Sequence, residues 1–185
     1  GTIAVAAYTA TWRLIALGIS PSLGIGIAAL TVGGAAYGAK NYENLKTALT
    51  YGAKLGLIAS TIICACLFIF AEPLSFIFSY SADSSVLGPR LVEALRILSF
   101  FLLLMPLGVL AGNIFQSMGK GGLSLLLTVL RSFILEILFA ALFAFGFHML
   151  DVGIYAGIVC GMAVGSVIGY IYVNYYLRKH RDYFN

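Results

Sequence analysis

Five long stretches of this chain are almost free of charge, and that feature limits what it can fold into more than any other. Leu14–Ala39 carries no charged side chain. Leu55–Ala71 is followed by Glu72 and a further apolar stretch to Tyr80. Ile97–Gly119 and Val152–Leu177 are clean, and Gly121–Leu150 is interrupted only by Arg131 and Glu136. A bilayer core about 30 Å thick needs about 20 apolar residues in a helix, and each stretch with its flanks meets that length. Strands of a membrane barrel would be about 10 residues long with alternating polarity, and no such alternation occurs.

Composition removes the competing classes. Hydrophobic residues make up 61% of the 185 positions and charged ones 10%, against about 45–50% and about 25% in soluble domains. Eleven basic and 7 acidic side chains cannot coat a globule of this size. A disordered chain needs low hydrophobicity, and 3 cysteines are too few for a disulfide scaffold. The net charge of +4 is small, and the densest basic cluster, Arg178–Arg181, closes an apolar segment. The expected partner is therefore the lipid bilayer and not nucleic acid. Residue 1 is Gly and no charged leader with a cleavage site precedes the first apolar stretch, so no signal peptide is expected. The abrupt start is that of a fragment.

The expected fold class is all-α: a polytopic membrane helical bundle, one transmembrane domain over 1–185. Its five long helices are placed near 3–38, 45–80, 88–118, 121–149 and 151–179. Gly38-Ala39-Lys40-Asn41 supplies a stop with Gly38 as the cap. Ser79–Ser85, Gly119–Gly122 and His148–Asp151 supply the turns, with Ser84 or Ser85 as a helix cap. Lys40, Lys46, Lys54, Lys120, Arg178, Lys179 and Arg181 all fall on one side, while the other has only Arg90 near a helix start. That bias places the C-terminus, the 38–46 loop and the 119–122 turn in the cytoplasm, for an integral, multi-pass protein of the cell membrane. The first helix then begins outside, which again points to a part that precedes it.

Prolines mark bends at Pro21, Pro73 and Pro106, because each removes one helical hydrogen bond. Pro21 and Pro106 are hinge candidates, with a plain packing bend as the alternative. The last helix has a glycine at every fourth position, Gly153, Gly157, Gly161, Gly165 and Gly169. Such a row lets another backbone approach closely, and Gly34–Gly38, Gly52–Gly56 and Gly108–Gly112 show the spacing once each. Cys64, Cys66 and Cys160 are expected to be small buried hydrophobes, and His148 with Asp151 lacks a third ligand, so any metal site is left undefined. No phosphate loop, nucleophile elbow or zinc-protease motif occurs, and the chain is not expected to be an enzyme.

Charges inside spans are expensive and mark functional candidates. Measured from the outer helix ends at 1.5 Å per residue, Arg13 is about 15 Å deep, Glu136 about 20 Å, and Glu72 and Arg96 about 12 Å each. Depth thus pairs Arg13 with Glu136 and Glu72 with Arg96. Arg131 is left over, free to snorkel toward the cytoplasmic surface. On an α-helix Arg131 and Glu136, five apart, diverge by about 140°, so Glu136 must find its partner on another helix, in water or in a proton. A static interhelical ion pair is the alternative to an ion-coupling role. Asn113, Gln116 and Asn174 are polar spots for a cavity or for bonds between helices.

The order of several motifs resembles the multidrug and toxic compound extrusion (MATE) transporters of the MOP flippase superfamily. Ala6-Ala7-Tyr8, through Ser20-Pro21 to Gly33-Gly34-Ala35-Ala36-Tyr37-Gly38-Ala39-Lys40-Asn41, is similar to the second helix and following loop of a MATE lobe. Phe78–Asp83 resembles the turn before a lobe's fourth helix. Phe115-Gln116-Ser117-Met118-Gly119-Lys120 followed by Leu130-Arg131 is similar to the passage into the fifth, and Asp151-Val152-Gly153-Ile154-Tyr155 to the step into the last, with Tyr155 where Trp is common. The resemblance covers nearly the whole chain and implies helices eight to twelve of a twelve-helix protein. The seventh helix and the N-terminal lobe, the implied partner, are absent.

It further implies a secondary antiporter that exports cationic amphipathic compounds, small organic cations, in exchange for sodium or protons, with an ion gradient and no cofactor. The family's acids in its tenth helix have no counterpart, since the third helix here has no Asp and its one acid, Glu93, lies near the outer end. Glu136 is a candidate from depth alone. A lipid-linked oligosaccharide flippase would need a cavity rich in Arg and Lys, and only Arg13, Arg96 and Arg131 qualify, which counts against it. A non-transporting membrane scaffold would suit the glycine row.

Overall fold

The computed structural model describes residues 2–78, 84–146 and 150–184, all of them in helices or the short turns between helices. The expected turn residues 79–83 and 147–149, with Asp83 and His148, lie outside them. Among the described residues, five helices are long and apolar enough to cross a membrane. The first is Thr2–Gly38. The second is Tyr42–Ile69, with a short helix, Ala71–Phe78, behind it. The third joins Ser84–Ser99 to Phe101–Ser117. The fourth is Gly121–Gly146, and the fifth is Leu150–Lys179, ending in a single tight turn, Arg181–Phe184.

The second span is shorter than the expected 45–80. It ends at Ile69, where Phe70 bonds back to Cys66. Pro73 has no N–H for the Ile69 carbonyl, so the α-ladder cannot run through this point. The third span also breaks, at Phe100. The Ser99 hydroxyl donates to the Arg96 carbonyl at 2.8 Å, the acceptor that the Phe100 N–H would use in an α-helix. Phe100 N–H turns to Ile97 instead, at 3.3 Å, as expected where a serine competes for the ladder. The helix runs unbroken past Pro21, and Pro106 is buried with Gly56 making room for its ring.

The C-terminal ends of the first and third spans close in the same hydrogen-bond pattern. Asn41 N–H bonds to Ala36 O and Lys40 N–H to Tyr37 O; Lys120 N–H bonds to Phe115 O and Gly119 N–H to Gln116 O. This pattern needs a left-handed residue just past the helix. Gly119 fills it with φ 71°, but in the first turn the residue is Lys40, at φ 52°, and not the expected Gly38. Asn41 then caps the second span by accepting from Asn44 N–H at 2.9 Å.

The third span is the hub. It packs on the first, second and fifth and on the opening turns of the fourth, 121–129, and the rest of the fourth lies along the fifth. Leu45, Leu49, Leu110, Ile114, Phe115, Val173 and Leu177 form the half of the core nearer the C-terminus. Ile15, Leu95, Leu98, Leu102, Tyr155 and Met162 form the other half. A buried bond between the Ser22 and Ser60 hydroxyls, 3.2 Å long, ties the first span to the second. The outward surface remains apolar, with Leu17 73%, Ile58 59% and Phe145 80% exposed. A water-soluble monomer could not carry such a belt; lipid covers it.

Four of the five glycines in the fifth span seat the fourth. A Cβ on Gly153 would meet the Phe143 carbonyl at 2.8 Å, on Gly161 the Glu136 Cα at 2.6 Å, and on Gly165 the Arg131 Cγ at 2.6 Å; one on Gly157 would strike the Ala140 backbone. A row at every fourth position drifts about 40° per step around an α-helix. Gly169 has accordingly turned away, and its nearest neighbour is Ala111 of the third span, at an ordinary 3.5 Å.

Candidate functional site

The two charges of the fourth span lie where that span changes its winding. Leu130–Leu135 forms a π turn, and Glu136 N–H bonds back to Arg131 O. A bond from i to i+5 makes Arg131 and Glu136 consecutive rungs of one turn. The 140° divergence expected of an α-helix is therefore corrected: the two charges sit one above the other and interact electrostatically. The wide turn also keeps step with the glycine row, since Gly165 meets Arg131 and Gly161 meets Glu136.

Arg131 does not snorkel. Its guanidinium crosses the fifth span over Gly165 and ends against Gly108 of the third, beside Ser166. Nε and Nη1 are buried there, with no hydrogen-bond partner among the described residues. Glycines at 108 and 165 open the only room an arginine head needs, which turns it inward. Sequence reading had Gly108 only as half of a packing pair.

Glu136 is half-buried on its seat at Gly161. The expected Arg13–Glu136 pair does not form. Arg13 lies between Thr11 and Ile15, both 0% exposed, so it points about 200° away from either and is itself exposed. What faces Glu136 from the first span is Tyr8, which interacts with it electrostatically. The Tyr8 ring stacks on Trp12 at 5.9 Å and on Tyr155 at 6.0 Å, and Trp12 meets Phe101 edge-on at 5.4 Å. A carboxylate thus lies within electrostatic reach of Tyr8, one ring of an aromatic cluster built from the first, third and fifth spans. Tyr155 entered the sequence reading only through its motif, and Trp12 and Phe101 did not enter as a group.

Glu72 and Arg96 pair as expected, Nη2 to Oε1 at 2.9 Å, with Arg96 also 5.6 Å from the Phe68 ring centroid. This pair sits at the break points of the second and third spans, apart from Glu136. Asn113 is half-buried and packs its amide against Gly26 of the first span. Gln116 donates to Ser124 at 3.3 Å and Asn174 to Tyr170 O at 2.8 Å, so both serve contacts between or within helices. Cys64 is buried, Cys66 exposed and Cys160 intermediate. No group of three His, Cys, Asp or Glu side chains lies together among the described residues.

The end of the bundle that carries the C-terminus holds an aromatic clasp that sequence reading did not find. Tyr183 stacks on Tyr37 at 5.4 Å, Phe184 meets Tyr42 at 5.7 Å, and Arg181 reaches Glu43 at 3.9 Å. The Lys120 ammonium lies 5.1 Å from the Tyr176 centroid, and the neighbouring Tyr176 side chain raises the amine above the ordinary lysine range. Lys40 similarly lies 5.7 Å from the Tyr183 centroid. Of the basic residues that suggested the orientation, Lys40, Lys120 and Arg181 thus each lie on an aromatic ring at this end.

The MatE family description matches residues 1–142. Among solved structures the chain is similar to an inward-facing multidrug resistance MATE family transporter of the MOP superfamily, at 32% identity and TM-score 0.92, covering 97% of this chain and 43% of that one. An outward-facing structure of such a transporter matches at 34% and TM-score 0.93, covering 98% and 40%. A MOP superfamily transporter from Pyrococcus furiosus, described as having a binding pocket of reverse polarity that suggests a different function, matches at 32% and 0.89, covering 98% and 42%. No curated protein matches. The chain spans about two fifths of the length of these solved relatives.

Proposed function

The chain belongs to the MATE family of membrane transporters, and from that premise we propose that it forms the C-terminal lobe of a secondary antiporter that exports organic cations. The observation that carries this reading is Glu136 within electrostatic reach of Tyr8 in the Tyr8–Trp12–Tyr155–Phe101 cluster. Aromatic faces and a carboxylate together attract an amphipathic cation, the rings through their quadrupole and the acid through its charge. A sodium ion or a proton arriving from outside competes for the same carboxylate, and that competition is exchange. Arg131, one rung away, supplies a fixed positive charge when neither cation is present. The basic clasp faces the cytoplasm in this reading, and the other lobe, supplied by a preceding part of the polypeptide, closes the cavity.

The bundle resembles inward-facing and outward-facing relatives equally well, which supports a lobe that rocks as one body. Pro21 and Pro106 are then packing bends within it. The test is ion-driven efflux of a fluorescent organic cation from vesicles holding the whole transporter. Glu136→Gln should abolish the response to the ion gradient and Glu136→Asp retain part of it; full coupling in Glu136→Gln would remove Glu136 from the mechanism.

One observation favours a second reading. The unpartnered Nε and Nη1 of Arg131 suit a phosphate-bearing substrate, as a lipid-linked oligosaccharide flippase would carry. In that case Arg131→Met, and not Glu136→Gln, is the variant that stops transport.

A further inference from the structure

A groove of about 700 Å³ runs between the first and second spans in their inner halves, lined by Ala28, Val32, Ala35, Ala36, Gly52 and Leu55. At Thr47 and Tyr51 it opens into a polar cleft of about 270 Å³ that adds Lys46, Thr50 and Lys54. Glu43 also borders the cleft, but its carboxylate turns to Arg181, 3.9 Å away. No salt bridge among the described residues involves Lys46 or Lys54.

Depth makes the two lysines unequal. The second span has 28 residues, about 42 Å, and overshoots a 30 Å core by about 6 Å at each end. Lys46 stands at the core edge. Lys54 stands about 12 Å further along the helix, where a bare ammonium is expensive. Its stem leans toward the helix N-terminus, back over Thr50 and Lys46. One helix thus presents two cations and three hydroxyls beside a long slot of alanine and glycine.

We propose that this site binds an anionic glycerophospholipid, with its phosphate on Lys46 and Lys54 and an acyl chain in the alanine-lined groove. Charge complementarity selects this occupant. A phosphate neutralises both lysines and accepts from Thr47, Thr50 and Tyr51, while the continuous apolar slot takes the chain attached to it. An apolar helix laid in the same groove would seal two ammonium groups from water without a counter-charge. The inference needs the chain to span a bilayer and does not rest on the transport reading.

The test places a reporter in the groove mouth. Tyr51→Trp in a Trp12→Phe background leaves one tryptophan among these 185 residues, whose single native one is Trp12, and any tryptophan elsewhere in the polypeptide is replaced by Phe. The protein is reconstituted in phosphatidylcholine vesicles with a small fraction of brominated phosphatidylglycerol or the same fraction of brominated phosphatidylcholine. Brominated phosphatidylglycerol should quench more strongly. Its advantage should fall about fivefold for each of Lys46→Gln and Lys54→Gln, the effect of one basic side chain at an anionic surface, and persist in the paired Lys→Arg variant. Equal quenching by both lipids would reduce the groove to ordinary lipid contact and overturn the proposal. Absence of quenching by either would show the groove filled by a protein helix, and would overturn it too.

Discussion

Gly161 leaves no space for a side chain above Glu136: a Cβ there would lie 2.6 Å from the Glu136 Cα and 2.7 Å from its nitrogen. The obstacle is backbone, which cannot rotate aside. Gly161→Ala should therefore push the fourth span off the fifth and destabilise by about 1–3 kcal/mol, as overpacking does. Gly169→Ala is the control, because its nearest neighbour is 3.5 Å away and an alanine gains up to about 1 kcal/mol of helix propensity. Thermal unfolding of the detergent-purified protein should order the two variants on opposite sides of the parent.

Arg131 is a buried cation with two unbonded nitrogens, so its removal should not harm the fold. Replacing buried ionic groups by apolar ones of similar volume is often neutral or stabilising by about 1–4 kcal/mol. Arg131→Met combined with Glu136→Gln should melt at or above the parent temperature. Gly108→Ala should destabilise the parent, whose guanidinium occupies that space, and be tolerated in Arg131→Met. That non-additivity measures the contact directly.

The Glu72–Arg96 pair is well formed, yet its side chains are 73% and 42% exposed. Exposed pairs contribute about 0.2–1 kcal/mol, so Glu72→Gln should cost no more than that. Arg96→Gln should cost more, since it also loses the stack on Phe68. Melting temperatures of the two variants, with and without high salt, check the order.

Two turns share one geometry and differ in the residue that carries it. Gly119→Ala should cost about 1–2 kcal/mol, the penalty of a left-handed residue with a Cβ. Lys40→Gly should release a similar penalty and forfeit about 0.5–1 kcal/mol of ring contact with Tyr183, leaving stability nearly unchanged or slightly higher. Lys40→Gly in a Tyr183→Ala background should be plainly stabilising, and unfolding of the four variants tests it.

The spans were legible because charge-free length reports directly on a bilayer, and the glycine row because four residues is a fixed step along a helix. The Glu72–Arg96 pair followed from depth. Depth failed for Arg13, because it says nothing of azimuth, and Thr11 and Ile15 claim the inward face. It failed for Arg131 because the expectation assumed α geometry through 130–135, and no composition marks a π turn. The aromatic clasp went unseen because its rings, Tyr37, Tyr42, Tyr176 and Tyr183, are scattered along the chain. A search for cations spaced to meet tyrosines at the same membrane side would have found it.

A turn closed from i to i+5 holds one residue more than an α turn. The segment 130–135 therefore carries a spare. Deleting one residue there would let the span rewind as plain α-helix, with 121–129 and 136–141 still facing as before. The same deletion inside 153–169 would rotate everything beyond it by about 100° and scatter the glycine row. Over generations of insertion and loss, the fourth span can change length at this point while its neighbour cannot.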